Sequence, residues 1–288
     1  MWIRRTARHA FLMVTTVLLG ALLGATLVRF APGFDVDERE LDSRLRQDSI
    51  QAIRESRASE RNLLSFYGHY LAGALHGDLG VSRSLQRPVA ELFAQRIPVT
   101  LRSVGVGLLA GWLLGLILAM AASMFRLPAL DLLSTFLSGA LLCVPFAVLA
   151  LLFLFVDGAG PLAIALVVFP RVLRYTRDLL RAVCEQPHVL TAKAKGLGPA
   201  RILLFHVLPV AAPQIVALAG VSASIAFGAA IPIEVICDSP GIGQLAWQAA
   251  LSRDLPLLVN LTALVTVITL AVNSVSDLAV SASTRHLV

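Results

Sequence analysis

The residue types that carry enzyme chemistry are few in this chain and are not spaced for it. Residues 220–224 read GVSAS, which approaches the GxSxG motif of a nucleophilic serine but ends in serine instead of glycine. The six histidines fall in loops or near the ends of apolar segments, and no HExxH is present. The GxxxxGK[ST] loop that cradles ATP phosphates is also absent. The sequence therefore predicts a chain that is not an enzyme, binds no metal and holds no cofactor of its own.

The most distinctive polar stretch is a basic segment at 190–209, LTAKAKGLGPARILLFHVLP, between two apolar runs. Pro187 suits the first turn of a helix, and Gly196 can end that helix in a left-handed cap. Pro199 can open a second helix, and we expect Pro209 to break or restart the chain before the next apolar run. The spacing predicts a small helical hairpin.

The first helix of this hairpin is flanked by lysines and carries small and medium apolar residues, which are Val189, Leu190, Ala192 and Ala194. An apolar strip on a short charged helix favours a docking surface for another protein over a buried core element. A solvated connector is the alternative interpretation.

The rest of the sequence indicates a membrane protein. Apolar residues make up 57% of the chain and charged residues only 15%, against about 25% charged in ordinary soluble domains. Six apolar runs approach the roughly 20 residues that a membrane-spanning helix needs. They are 11–30, 104–125, 132–156, 160–173, 202–233 and 255–276. The fourth run is short and is interrupted by Pro170 and Arg171, and Pro145 is expected to kink the third.

Basic residues predict the orientation, because short cytoplasmic loops carry an excess of lysine and arginine. Arg4, Arg5 and Arg8 place the N-terminus in the cytoplasm, ahead of a first span that we interpret as retained. Seven basic residues from Arg171, near the end of span four, to Arg201, just before span five, place that segment on the same side. The net charge of +6 thus has a topological explanation and does not indicate nucleic-acid binding.

This topology divides the chain into three parts. Residues 1–30 form an N-terminal transmembrane helix and residues 31–98 an extracytoplasmic region. Residues 99–288 form a five-helix core that carries the cytoplasmic hairpin 187–201. The extracytoplasmic region contains a predicted turn at His76, Gly77, Asp78, Leu79 and Gly80, since glycine permits backbone angles that other residues avoid.

The hairpin residues support a family resemblance. Gly196 and Pro209 are thirteen positions apart, with Ala192 before the glycine and Leu208 before the proline. This pattern resembles the cytoplasmic EAA loop of permeases from binding-protein-dependent ABC importers. The sequence TAKAKGL is similar to the dipeptide, oligopeptide and nickel class, and HGDLG after a long first loop resembles the first permease subunit of such systems.

The resemblance implies an all-α polytopic fold of six transmembrane helices, of the type I or MetI-like kind, in the cell inner membrane. It implies half of a translocation pore for peptides or related small solutes. A second permease subunit, identical or different, would complete the pore. Two separate ATPase subunits would bind ATP and Mg, and an extracytoplasmic binding protein would deliver the substrate.

The resemblance also assigns candidate residues. Those for ATPase coupling are Leu190, Thr191, Ala192, Lys193, Gly196, Leu197, Arg201 and Pro209. Those for the gate or translocation path are Pro145, Glu234, Pro240, Gly241, Gly243 and Asp277. The loop 157–160 is shorter than in relatives, which leaves the substrate class open.

One alternative uses a different pattern. Arg171, Arg174 and Arg177 repeat at every third position, as in the voltage-sensing helices of channels. These arginines follow the apolar run instead of lying inside it, which favours the permease interpretation.

Overall fold

A computed structural model describes residues 76–125, 128–156 and 158–285, together with positions 15–16, 18–20, 22–23, 26, 68 and 72–73. Most of the predicted first span, most of the predicted extracytoplasmic region and Asp157 lie outside the described residues. Within the described ranges the protein is helical, and the one β-type pairing there is an isolated bridge between Val81 and Pro88.

Nine α-helices and one π-helical turn follow one another in the continuous described ranges. In chain order they are α1 (Val89–Phe125), α2 (Pro128–Cys143), α3 (Phe146–Leu152), α4 (Ala159–Cys184), α5 (Pro187–Ala194), α6 (Pro199–Ile202), the π turn (Leu203–Val207), α7 (Leu208–Ile236), α8 (Ile242–Leu251) and α9 (Leu255–Arg285).

Four helical stretches are long and apolar enough to cross a membrane: Val89–Met124, Ala159–Cys184, Pro199–Ile236 and Leu255–Ser281. The pair Asp131–Cys143 and Phe146–Leu152 reaches the same standard together, as one span bent by 102°. With that pair as one span, the described residues supply counterparts for predicted spans two to six. The all-helical, multi-span fold class predicted from the sequence is confirmed.

The third span is broken, not merely kinked as predicted. Pro145 stands between α2 and α3 with extended backbone angles of φ −60° and ψ 146°. It has no N–H to continue the helical ladder, and its ring disfavours helical geometry at Val144. The chain therefore turns sharply there, and α3 restarts with Val148 N–H and Leu149 N–H bonded to the Pro145 carbonyl.

The fourth span is longer and more continuous than the sequence indicated. Helix α4 runs without interruption through Pro170 and Arg171. It is also the most buried of the four stretches, with 67% of its apolar segment inside the protein. Gly107, Gly111 and Gly115 of α1 explain this packing, because a Cβ on any of them would lie 2.7–2.8 Å from atoms of α4. Close backbone approach of this kind stabilises helix pairs in membranes.

Pro98 and Pro209 both lie within helical stretches. Helix α1 continues through Pro98, and the domain limit at 98/99 stays a prediction. Of the two outcomes predicted for Pro209, the chain does not break there; Pro209 lies in the first turn of α7, which runs on from the π turn, where Leu208 N–H bonds the Leu203 carbonyl five residues back. The wider π turn gives room to a proline ring that would clash with an ordinary helical turn.

The chain separates into two compact units whose limits fall within α1, α8 and α9. One comprises residues 1–96 with 245–268, and the other residues 97–244 with 269–288. The larger unit has an apolar core that includes Val104, Leu149, Ile164 and Ile233.

Candidate functional site

The hairpin predicted at 187–201 is present, and its turn has a defined capping geometry. Helix α5 begins at Pro187 and ends at Ala194, and Gly196 follows in the left-handed region with φ +75°. Gly196 N–H bonds the Lys193 carbonyl at 2.9 Å, and Leu197 N–H bonds the Ala192 carbonyl at 3.3 Å. These two bonds form a Schellman motif, which satisfies carbonyls at the helix end and reverses the chain direction.

One face of α5 is buried inside the protein. Val189 and Ala192 are 0% and 3% exposed and belong to an apolar cluster with Ile202, Leu203 and Val207. The prediction that Val189 and Ala192 lie on the exposed docking face is therefore wrong. The small side chain of Ala192 allows α5 to approach the second half of the hairpin, which fixes the position of α5 without offering Ala192 to a partner.

The opposite face of α5 is open. Leu190 is 54% exposed, and Thr191, Lys193 and Ala194 are exposed with it. An exposed leucine between basic side chains is an apolar anchor with a charged rim. Arg201 is exposed on the second arm, Leu197 is half-buried against the apolar cluster, and Pro209 lies in α7 beyond the hairpin.

The three arginines of the voltage-sensor alternative have unlike environments. Arg171 donates to the Val167 carbonyl at 2.9 Å and lies 5.8 Å from the Phe146 ring centre. Arg174 is exposed. Arg177 is 5% exposed, and its guanidinium lies 3.2 Å from a carboxylate oxygen of Asp131. A voltage-sensing helix needs equivalent arginines that can move together along a path, and these three arginines do not have equivalent surroundings.

Arg177 is instead the centre of a polar network that joins α2 to α4. It donates to Ser134 Oγ at 3.0 Å and Thr135 Oγ1 at 2.7 Å, and it pairs with Asp178 at 2.9 Å. Arg181 also pairs with Asp131, at 2.7 Å. The network therefore fastens the start of α2 to the part of α4 that leads directly into the hairpin.

We expect Arg177→Met to destabilise the subunit by about 1–3 kcal/mol, because several buried charge-assisted hydrogen bonds lose their donor. Arg174→Met on the same helix is the matched control and should have no measurable effect, since Arg174 is exposed. Thermal unfolding of the two detergent-purified variants measures the difference. Equal midpoints would show that the Arg177 network contributes no stability.

The predicted path residues Glu234, Gly241 and Gly243 come together at the far end of α7. Glu234 is 1% exposed and accepts a hydrogen bond from Gly243 N–H at 2.6 Å. A Cβ on Gly241 would overlap the Glu234 carboxylate, and one on Gly243 would lie 2.6 Å from Ile231 Cα. Only glycine fits at either position, so the turn 240–243 closes tightly over the carboxylate.

Thr100 completes this cluster, and sequence reasoning assigned it no role. Its hydroxyl donates to Glu234 Oε1 at 2.7 Å and accepts from Ile242 N–H at 2.8 Å. Thr100 lies 134 positions from Glu234 along the chain, so no local pattern links them. Arg102 and Ser103 also precede the apolar run 104–125, so Thr100 does not stand out there as an isolated polar residue.

The other predicted path residues are placed elsewhere. Pro240 is exposed beside the turn, and Pro145 is exposed at the break between α2 and α3. Asp277 is exposed on α9 within the apolar stretch Leu255–Ser281. A carboxylate at such a depth requires water or another protein beside it. Within the part of the chain that the structure describes, no group of three or more histidine, cysteine, aspartate or glutamate side chains is placed to hold a metal ion.

The turn predicted at 76–80 is present, and the side chain of Asp78 stabilises it. Asp78 Oδ1 accepts from Gly80 N–H at 2.9 Å, and Gly77 and Gly80 have φ of +80° and +75°. Asn260 Nδ2 donates to the Leu79 carbonyl at 2.9 Å, which holds the turn against α9.

A second buried carboxylate fixes the segment after this turn. Asp254, 1% exposed, accepts at Oδ2 from Ser82 Oγ at 2.6 Å, Ser84 Oγ at 2.8 Å and Ser84 N–H at 2.9 Å. Its Oδ1 accepts from Leu257 N–H at 3.2 Å and so caps α9.

Comparison with known proteins identifies this architecture. The model of the family described as the inner membrane component of binding-protein-dependent transport systems matches residues 111–287. The chain belongs to this family. The matched range begins within α1 and covers α2 to α9, the hairpin, Glu234, Gly241 and Gly243, whereas Thr100 lies before it.

Relatives and solved structures agree with this assignment. A Brucella abortus (strain 2308) protein named as a peptide transport system permease is 26% identical over 293 residues, 92% of each chain. The glutathione transport system permease of Escherichia coli O6:H1 is 25% identical over 266 residues, 85% of this chain and 86% of its own. A chain of the inward-facing MetNI methionine ABC transporter shares the fold, with a TM-score of 0.57 and 16% identity over 67% of this chain and 97% of its own.

The protein is thus a multi-pass inner-membrane permease subunit of an ABC importer. The voltage-sensing channel interpretation is wrong, because the chain belongs to a transport family; in keeping with this, Arg177 is buried and pairs with Asp131 and Thr135.

Proposed function

We propose that this permease forms half of the translocation pore of an ATP-driven importer for peptides or related small solutes. The names of the relatives, which transport peptides and glutathione, support this substrate class. A second permease subunit, identical or different, would line the other half. The exposed Asp277 and the break at Pro145 are candidates for the pore-facing surface, since a carboxylate or an interrupted helix at membrane depth requires a cavity or protein beside it.

The hairpin 187–201 couples this pore to a separate ATPase. The observation that carries the proposal is the division of α5 into two faces: one locked into the protein through Val189 and Ala192, the other presenting Leu190. A rigidly mounted helix with an exposed apolar anchor suits insertion into a groove. The lysines around it add weak surface charge pairing, about 0–1 kcal/mol each.

ATP and Mg would bind to the partner ATPase subunits, which this chain requires because it lacks a phosphate-binding loop. Closure of the ATPase pair around ATP would draw the hairpins of the two permeases together. This is a rigid-body movement in which the nucleotide is the ligand that distinguishes the two states. The hairpin and the N-terminus would lie in the cytoplasm, and the turn 76–80 outside, where a binding protein would dock.

Purification of the tagged permease from membranes, followed by reconstitution, tests this function. The expected result is an assembly that contains a second permease and an ATPase with a phosphate-binding loop, and that accumulates peptide in ATP-loaded vesicles when the binding protein is present. A permease that purifies without any ATPase, or moves solute without ATP, would contradict the proposal.

A further inference from the structure

The hydroxyl of Thr100 connects three elements at the end of α7 that is far from the hairpin. It donates to Glu234 near the end of α7 and accepts from the first N–H of α8, and it is itself part of α1. Glu234 accepts in addition from the second N–H of α8, at Gly243. We call this set, Thr100, Glu234 and the N–H groups of Ile242 and Gly243, the Thr100 relay.

The relay positions the start of α8. The first N–H groups of a helix have no partner within it and carry partial positive charge, so a carboxylate and a hydroxyl oxygen are suitable caps. Thr100 and Glu234 are 3% and 1% exposed, so these hydrogen bonds are shielded from bulk solvent, and losing one leaves a buried polar group without that partner. A carboxylate near the C-terminal end of α7 is unfavourable for the dipole of α7 itself. Its favourable interaction is with α8, which indicates that Glu234 serves the attachment between helices.

The same helix leads from the relay to the hairpin. The stretch Pro199–Ile236 is helical over 38 residues, which corresponds to a length of about 57 Å at 1.5 Å per residue. One end carries the second arm of the hairpin and the other carries Glu234. One continuous helical stretch therefore connects the hairpin to the relay, so a rigid displacement of the hairpin would also displace Glu234.

We propose that Thr100 is a positioning residue through which movement of the hairpin reaches the start of α8. This inference rests on the proposed coupling function of the hairpin. Without the hydroxyl, Ile242 N–H loses its acceptor and Glu234 loses a donor, so the end of α7 can move while α8 stays behind. The ATPase would then still bind the permease and hydrolyse ATP, but the binding protein at the other end of the permease would no longer stimulate the hydrolysis.

The test compares Thr100→Val with Thr100→Ser in the complete complex in lipid nanodiscs. Valine has nearly the shape of threonine but no hydroxyl, whereas serine keeps the hydroxyl and loses only the methyl group. The measured quantities are the amount of ATPase bound, the basal rate of ATP hydrolysis, and its stimulation by the purified binding protein of the same system. Rescue by serine separates the hydrogen bonds from the packing.

We expect Thr100→Ser to match the parent in all three quantities. Thr100→Val should bind ATPase and hydrolyse ATP at the parent's basal rate but lose stimulation by at least about 5-fold, the lower range of coupling between distant sites. Undiminished stimulation in Thr100→Val would overturn the inference, and so would failure of this variant to bind ATPase, since the relay would then only maintain the fold of the hairpin. If the parent itself binds no ATPase, the proposed function fails instead.

Hydrogen–deuterium exchange on the parent complex tests the relay without any substitution. The relay predicts slow exchange in the peptide 238–244 and a change in that exchange when ATP and vanadate trap the closed ATPase. Exchange that is the same with and without nucleotide would overturn the inference.

Discussion

Replacing Gly196 with valine is expected to weaken ATPase binding by roughly 10-fold or more and to reduce transport in proportion. Gly196 has φ +75°, a conformation that costs a β-branched residue about 1–3 kcal/mol. Valine relieves that strain by opening the Schellman turn, so α5 spends less time in its docked position against Ile202 and Val207. The apparent affinity falls with the fraction of competent hairpin, and each 1.4 kcal/mol corresponds to about tenfold.

Gly196→Asn is the matched control for this prediction. A Cβ at position 196 would meet no atom within 4 Å, so any side chain fits and the backbone conformation alone decides. Asparagine tolerates the left-handed region better than other residues that carry a Cβ. We expect it to retain most ATPase binding, measured by titrating ATPase onto the permease in nanodiscs. Equal losses for valine and asparagine would indicate that the partner contacts Gly196 directly, and no loss for either would remove the turn from the coupling site.

Leu190→Asp should abolish stable ATPase association, with a loss of at least about 2 kcal/mol, or roughly 30-fold in affinity, as for a central interface residue. Leu190 is 54% exposed, on the face of α5 opposite the buried Val189 and Ala192. Its replacement leaves the internal packing of the hairpin unchanged, and the free permease should keep its thermal stability. The aspartate would be desolvated in an apolar groove without a partner.

Leu190→Met is the conservative control and should bind ATPase nearly as well as leucine, since it keeps an apolar side chain of similar volume. Affinity and thermal midpoint are measured on the same preparations. If Leu190→Asp binds ATPase like the parent, α5 does not present its open face to the partner. If it instead lowers the thermal midpoint, Leu190 contributes to the fold.

The hairpin was predictable because its geometry is encoded locally. Pro187, Gly196 and Pro199 act through their own backbone preferences, and each has the predicted role. The faces of α5 were not predictable at this level, because a single short helix does not show which side its neighbours cover. Ala192 was consequently assigned to the wrong face.

Prolines show the limit of local rules in this chain. Pro145 breaks the third span more completely than predicted, while Pro98, Pro170 and Pro209 lie inside continuous helices. Tertiary packing and local helix geometry explain why these prolines do not break their helices. The glycines of α1 allow close packing against α4 around Pro170, and the π turn makes room for Pro209. Local preference predicts a break, and packing decides whether it occurs.

The long-range polar pairs could not be predicted from the sequence, because tertiary packing decides which distant residues meet. Arg177 and Asp131 are 46 positions apart, and Thr100 and Glu234 are 134 apart. Nothing in residue type or spacing selects these partners from the other polar residues of the chain. The family resemblance did point to Glu234, Gly241 and Gly243, but not to the Thr100 hydroxyl that joins Glu234 to α1 or to the capping of α8.

Photo-crosslinking tests the central claim most directly, since it reports where the hairpin lies in the working complex. A benzoylphenylalanine placed at Thr191, on the open face of α5, is compared with one at Phe155, which is 98% exposed after α3. Our account predicts an ultraviolet-dependent covalent adduct between the permease and the ATPase from position 191 and none from position 155. The absence of an ATPase adduct from position 191, with the complex intact, would contradict it.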